Sequence, residues 1–319
     1  MKFLIIGASG MVGQAASAAL QAVGHTVVGT ASKAKNSSLI PFDLSTDSIP
    51  AKIDSLLSLL KPTLNETIVV VIFAFVAQID ACFAEKERSH LINVIKMQEL
   101  LDYLQTKNVP TPKVKIIFIS SSFVFDGTKG YYNESDAKNP ICEYGRHKAE
   151  VEEYIEKHLP TALILRLDKV VSAGGGQNNL FSQWHSSLAQ GKEITCMKGQ
   201  LFSPTYAGDV ARGLVLAGEQ NLCGTFHFAN QEFFTREELA RQFVEYAADA
   251  DYAEHETKII SKSQEELGFA DLRPLKTHLD SSMFVAATGM RFTPMRRVLE
   301  IFFQNKTRKR QLKIKNVRD

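Results

Sequence analysis

The string GASGMVG at residues 7–13 limits what this chain can fold into more than any other stretch, because of what flanks it. KFLII, residues 2–6, reads as a buried strand and residues 11–23 read as a helix, so glycines at a three-residue spacing fall in the turn between them. Glycine there lets the backbone reverse tightly, lets a diphosphate approach the helix N-terminus and lets helix and sheet pack closely. The initial lysine, apolar run and small residues imitate a secretory leader, but a leader has no need of glycines at this spacing. Gly7, Ser9, Gly10, Met11, Val12 and Gly13 are therefore expected to cradle a dinucleotide.

Strand-like and helix-like stretches alternate after the turn: HTVVGT (25–30), a helix near 47–60, a buried run at 68–75, a helix near 84–106, KVKIIFIS (113–120), a helix containing YGRHK, and TALILRL (161–167). This rhythm predicts an α/β fold, a Rossmann-type doubly wound parallel sheet over residues 1–170. The apolar run IVVVIFAFVA (68–77) is too short to span a membrane and suits a strand buried on both faces. Beyond residue 170 the pattern loosens into GGG (174–176), a helix near 179–190, a short strand near 194 and a helix opened by SPTYAGDVA. Residues 171–319 are read as a smaller substrate-binding lobe. Within it, GTFHFAN (224–230) looks like a strand returning to the core, and TREE (235–238) is a capping box. His227 alternates with apolar neighbours and reads as a core histidine with Phe226 and Phe228 on the opposite face; Trp184 reads as lobe packing.

Charge and cysteine usage narrow the function. Thirty-seven basic and 35 acidic side chains leave a net charge of +2, so neither nucleic acid nor a membrane surface is an expected partner. Residues 305–318 carry seven bases and no acid, and this tail (305–319) reads as a solvated terminus. The four cysteines lie far apart without metal-ligand spacing, which points to reduced thiols in the cytoplasm and to no metal.

Two places in the core carry chemistry. The second strand ends in Thr30, Ala31, Ser32 and Lys33, where NAD-preferring folds have a carboxylate for the ribose 2′-hydroxyl; its absence beside a base favours NADP, with NAD possible. Asp43 and Leu44, after a short third strand, suit either the adenine or the start of the next helix. The strand KVKIIFIS runs into Ser120, Ser121 and Ser122 at the carboxyl edge of the sheet, where ligands of parallel sheets bind. Tyr144 and Lys148 follow on a helix, four residues apart and so on one face. As a surface helix, it would simply carry Lys148 into a charge ladder with Glu152. As a site, a carbonyl accepting hydride needs a proton donor, and lowering a tyrosine from about 10 to about 7 takes roughly 4 kcal/mol of differential stabilisation. A nearby ammonium is expected to supply it, while the serine positions the substrate oxygen.

GASGMVG, SSSFVFDG, YGRHK, SPTYAGDVA, GTFHFAN and RPLKTHLD, in this order, resemble the extended short-chain dehydrogenase/reductase superfamily and, within it, the dTDP-4-dehydrorhamnose reductases. The similarity extends to about residue 303. It implies a catalytic Ser121, Tyr144 and Lys148, an Asn93 in the position of the family's helix asparagine, and substrate contacts from Ser122, Phe123, Ser203, Thr205, Arg273 and His278. The implied substrate is a nucleotide sugar, and the protein is expected to be a monomer or homodimer. Phe73, Ala74 and Phe75 follow the fourth strand where the family has small residues, and would sit against the nicotinamide. Ser122 and Phe123 replace an aspartate and a tyrosine, and His278 an arginine. Alternatives on the same scaffold are an epimerase or dehydratase, or a non-catalytic NADP-binding subunit like the regulatory subunit of methionine adenosyltransferase.

Overall fold

A computed structural model describes the chain except residues 34–37, 64–65, 108–112, 175–178, 251, 253–256 and 319, and except the side chains of 309–318. Gly175 and Gly176 of the GGG string therefore lie outside the described residues. The first half runs β1 (Lys2–Ile6), α1 (Met11–Ala22), β2 (Thr26–Ala31), β3 (Ile40–Pro41), α2 (Ile49–Leu59), β4 (Thr67–Ile72), α3 (Ile79–Ala84), α4 (Lys86–His90), α5 (Lys96–Thr106), β5 (Lys113–Ser121), α6 (Glu143–His158) and β6 (Leu163–Leu167). The second half adds β7 (Val170–Val171), α7 (Leu180–Ala189), β8 (Ile194–Met197), β9 (Leu201–Phe202), β10 (Thr205–Tyr206), α8 (Ala207–Glu219) and β11 (Gly224–Phe228). It ends with β12 (Phe234–Thr235), α9 (Arg236–Asp249), β13 (Ile259–Lys262), α10 (Ser282–Thr288) and α11 (Met295–Arg318).

Seven strands form one parallel sheet in the order β11-β6-β5-β4-β1-β2-β3. The order reverses between β1 and β4, and a crevice opens there at the carboxyl ends of the strands. The alternation within β4 explains how both faces are buried: Ile68, Val70 and Ile72 pack under α2 and α5, while Val69 and Val71 pack under α1 and α8. β11 arrives from the second half of the chain and pairs with β6 from Gly224↔Leu163 to Phe228↔Leu167. His227 is fully buried on it, and Phe226 and Phe228 both pack on Phe284 from the other face. A third cluster, with Trp184, Phe243 and Phe302, fills the second half.

Two expectations about elements change. The helix expected near 84–106 runs without a break from Lys86 to Thr106, but as α4, a π-helical segment (Leu91–Ile95) and α5, and a separate α3 precedes it. Hydrophobic periodicity at 3.6 residues does not register the extra residue that such a turn accommodates. The basic tail is not a detached terminus: its backbone continues α11 to Arg318, and Asn305 donates a hydrogen bond to the Ala173 carbonyl at 3.2 Å.

Candidate active site

Gly7 takes φ +90°, and a Cβ there would lie 2.5 Å from the Ala74 nitrogen; at Gly13 a Cβ would lie 2.6 Å from the Gly7 carbonyl oxygen. These contacts close the turn against β4 and α1. Gly10 is different: the nearest atom to a Cβ there is 3.6 Å away, so the turn is open above it. Gly10 occupies the N-cap of α1 without a side-chain cap, and no acidic residue stands in the first turn. The leading N–H groups of the helix thus face a place with room for an anion.

Thr30 is buried, and its hydroxyl accepts from the Gly7 N–H at 3.3 Å. It supports the turn from below, while Ser32 and Lys33 are exposed beyond it. Asp43 is committed locally, accepting from the Ser45 N–H and hydroxyl at 2.9 and 2.6 Å, which holds its carboxyl below the usual range. α2 instead starts from Ser48, and Leu44 is buried. Asn93 sits in the π segment, accepts from the Val76 N–H at 2.7 Å and donates back to its carbonyl at 3.2 Å. The asparagine therefore clamps the segment after β4 and touches none of Ser121, Tyr144 and Lys148.

Tyr144 and Lys148 stand on the buried face of α6, not on a washed one. Gly145 between them is obligatory: a Cβ there would meet the Phe123 carbonyl oxygen at 2.2 Å, so its absence lets α6 close on the turn after β5. The Tyr144 phenol lines the same cavity as Ser121, whose hydroxyl accepts from the Phe123 N–H at 3.2 Å. The Lys148 ammonium donates to the Ile119 carbonyl at 2.7 Å and lies 3.5 Å from the Phe75 ring centre and 4.5 Å from that of Phe118. Phe75 also meets Tyr144 edge-on at 5.7 Å, and the ammonium lies 5.9 Å from the Tyr144 ring centre. The expected ladder to Glu152 does not form, because Glu152 is fully buried and pairs with Arg166 at 2.7 Å, which in turn contacts His227.

Electrostatics at this pair run against expectation. Desolvation pushes the Tyr144 phenol above its ordinary value, and the nearby Ser121 hydroxyl only partly offsets this. Desolvation also pulls Lys148 down to about 7, with Glu152 opposing. In this state the ammonium does not make the phenol acidic, since burial penalises both charged forms and Phe75 occupies the space beside the lysine.

One cavity of about 440 Å³ gathers Met11, Val12, Phe73, Phe75, Ser121, Ser122, Phe123, Tyr144, Lys148 and Arg273. Arg273 is anchored at its wall by Asp80 at 2.9 Å and by the Phe269 face. Three expected substrate residues lie elsewhere. Ser203 and Thr205 are buried framework, the first donating its N–H to Asp168 at 2.7 Å and the second accepting from the Asn230 N–H. His278 is packed against Gly130, Phe233 and Tyr131. Ser122 reaches the cavity but donates to Asp168 at 2.9 Å, and burial raises that carboxyl to about 6. The cavity also contains five polar residues that sequence reasoning passed over: Asp168, Lys169, Gln200, Arg236 and Thr277. Asp168 and Lys169 were within reach of the strand-end rule applied to Ser121, because they directly follow β6. Arg236 was read only as part of a capping box, which does form between Thr235 and Glu238.

A dinucleotide turn, a sheet reversing between β1 and β4, and a serine, tyrosine and lysine converging at its carboxyl edge define an extended short-chain dehydrogenase/reductase. The chain belongs to the RmlD substrate binding domain family, whose model matches residues 1–308. It is 30% identical over 287 residues to the probable low-salt glycan biosynthesis reductase of Haloferax volcanii, covering 88% of this chain and 90% of that one. It is also 30% identical over 174 residues to the methionine adenosyltransferase 2 subunit beta of Danio rerio, with 52% of each chain covered. Among solved structures, the dTDP-4-dehydrorhamnose reductase of Bacillus anthracis in complex with NADP superposes with a TM-score of 0.76 at 21% identity, over 95% of this chain and 98% of that one. No helix among the described residues is long and apolar enough to cross a membrane.

Proposed function

We propose that the protein is an NADPH-dependent reductase of a keto-sugar nucleotide. The observation that carries this reading is the convergence of Ser121, Tyr144 and Lys148 in the wall of one cavity that extends to the α1 N-terminus. The open space above Gly10 suits a dinucleotide diphosphate, and the lack of a carboxylate near Ser32 and Lys33 suits a 2′-phosphate. A bound nicotinamide would supply hydride to the substrate carbonyl carbon. Ser121 would hold the carbonyl oxygen, and Tyr144, protonated because it is buried, would donate the proton. Lys148 would then neutralise the phenolate, and it can meet a ribose only once Phe75 leaves its ammonium.

The test is oxidation of NADPH with a panel of nucleotide-linked 4-keto sugars. We expect turnover with at least one of them and weaker use of NADH. The packing of Phe75 on Lys148 favours a second reading, a non-catalytic NADP-binding subunit of the kind represented by the Danio rerio relative. NADPH binding without consumption across the panel would support that reading over the first.

A further inference from the structure

Beyond Tyr144, the cavity has an end whose chemistry the reductase reading leaves unused. Lys169 leaves the carboxyl edge of the sheet two residues after Leu167, and Leu167 is the register partner of Ser121. The lysine therefore emerges beside the hydroxyl and phenol rather than out along the lobe. Arg236, the first residue of α9, lines the same cavity, with its Nε donating to Gln200 Oε1 at 2.7 Å and its guanidinium 4.9 Å from the Phe202 ring centre. Its Nη1 is buried without a partner. Among the described residues, neither cation has an ion pair of its own.

Helix stability does not call for this arginine. A cation in the first helical turn opposes the helix dipole, and the capping box of Thr235 and Glu238 already completes the start of α9. Both cations line the one cavity, Lys169 at an exposed edge of it, and partial desolvation there, then the Arg236 guanidinium, pull Lys169 below its usual proton affinity. Asp168 is the nearby carboxylate, but its oxygens already accept from Ser122 and from the Ser203 N–H. Two cations set against one ionised carboxylate leave about one unit of positive charge, which suits a monoanion better than a phosphoryl group carrying close to two negative charges at pH 7.

We propose that Lys169 and Arg236 form a subsite for a carboxylate on the sugar, so that the substrate is a nucleotide-linked acidic sugar. This rests on the reductase reading and assigns the carboxylate to the sugar because Lys169 follows the register partner of Ser121 and shares the cavity with Arg236, whereas Arg273 is already paired with Asp80.

Calorimetry on the NADP-saturated protein would compare UDP-glucuronate with UDP-glucose, which differ only in the carboxylate. The acidic sugar should bind at least about tenfold more tightly, as expected for one charge-assisted hydrogen bond, and Arg236→Gln or Lys169→Gln should each remove most of that advantage. Equal binding of the two sugars, or an advantage that survives both substitutions, would overturn the subsite. A second arm titrates sodium acetate against sodium chloride at matched ionic strength and follows Tm. Acetate should stabilise the native chain more than either variant. If neither nucleotide sugar binds but this acetate difference is present, the nucleotide-sugar reading fails while the carboxylate subsite stands; if acetate stabilises all three proteins equally, the subsite itself fails.

Discussion

Lys148 is only 4% exposed, an environment that penalises its charge. Unfolded, a lysine keeps its proton to about pH 10, whereas the folded chain releases this one near 7. Between these values the unfolded state binds more proton, so stability should rise as pH climbs from about 7 towards 10. Thermal unfolding across that range should show the rise in the native protein and a flatter profile in Lys148→Met. At Tyr144 the expected effect is on turnover: Tyr144→Phe should cost about 10²- to 10⁴-fold in kcat while leaving Tm and NADPH affinity nearly unchanged. Full activity in that variant would end its assignment as proton donor. The residues of this site were legible in the sequence because strand end and helix spacing fix where side chains converge. Their protonation states were not, because they depend on Phe75 and Phe118, which reach Lys148 from the segment after β4 and from β5.

The segment between β4 and α5 shows the limit of pattern reading at the scale of elements. Its glycine-poor, aromatic sequence after β4 was visible, and so was Asn93, but the π segment that turns Asn93 onto Val76 has no periodic signature. Replacing Asn93 with alanine strands the Val76 N–H and leaves its carbonyl only the Cys82 thiol, a loss of about 1–3 kcal/mol for a donor left without a partner. Denaturant unfolding should report it as a lowered midpoint with an unchanged slope. Phe75 belongs to the same segment. If its ring withholds Lys148 from a ribose, Phe75→Ala should tighten NADPH binding by about fivefold or more, the gain from removing an incompetent state. Fluorescence titration showing equal or weaker binding would mean that the aromatic contact is compatible with the bound form.

Across the whole molecule, alternation of apolar strands and helices was enough to read the parallel sheet, since β1, β4, β5 and β6 are buried on both faces. The tail was misread because charge alone suggested a frayed end, while the start of α11 carries Val298, Leu299, Phe302 and Phe303 into the third apolar cluster. Removing residues 305–319 deletes the Asn305 bond to Ala173 and the Lys306 contact with the Phe302 ring, so Tm should fall by about 2 °C or more. An unchanged Tm would show that the helix is held entirely by its first half.

The return of β11 to the sheet also sets an order of events during synthesis. The flank of β6 stays unpaired until residues 224–228 have left the ribosome, so the first 170 residues emerge as an incomplete sheet with an apolar strand open to other chains. Nascent chains stalled before Gly224 should be protease-sensitive and prone to associate, and chains stalled well beyond Phe228 should become resistant in a single step.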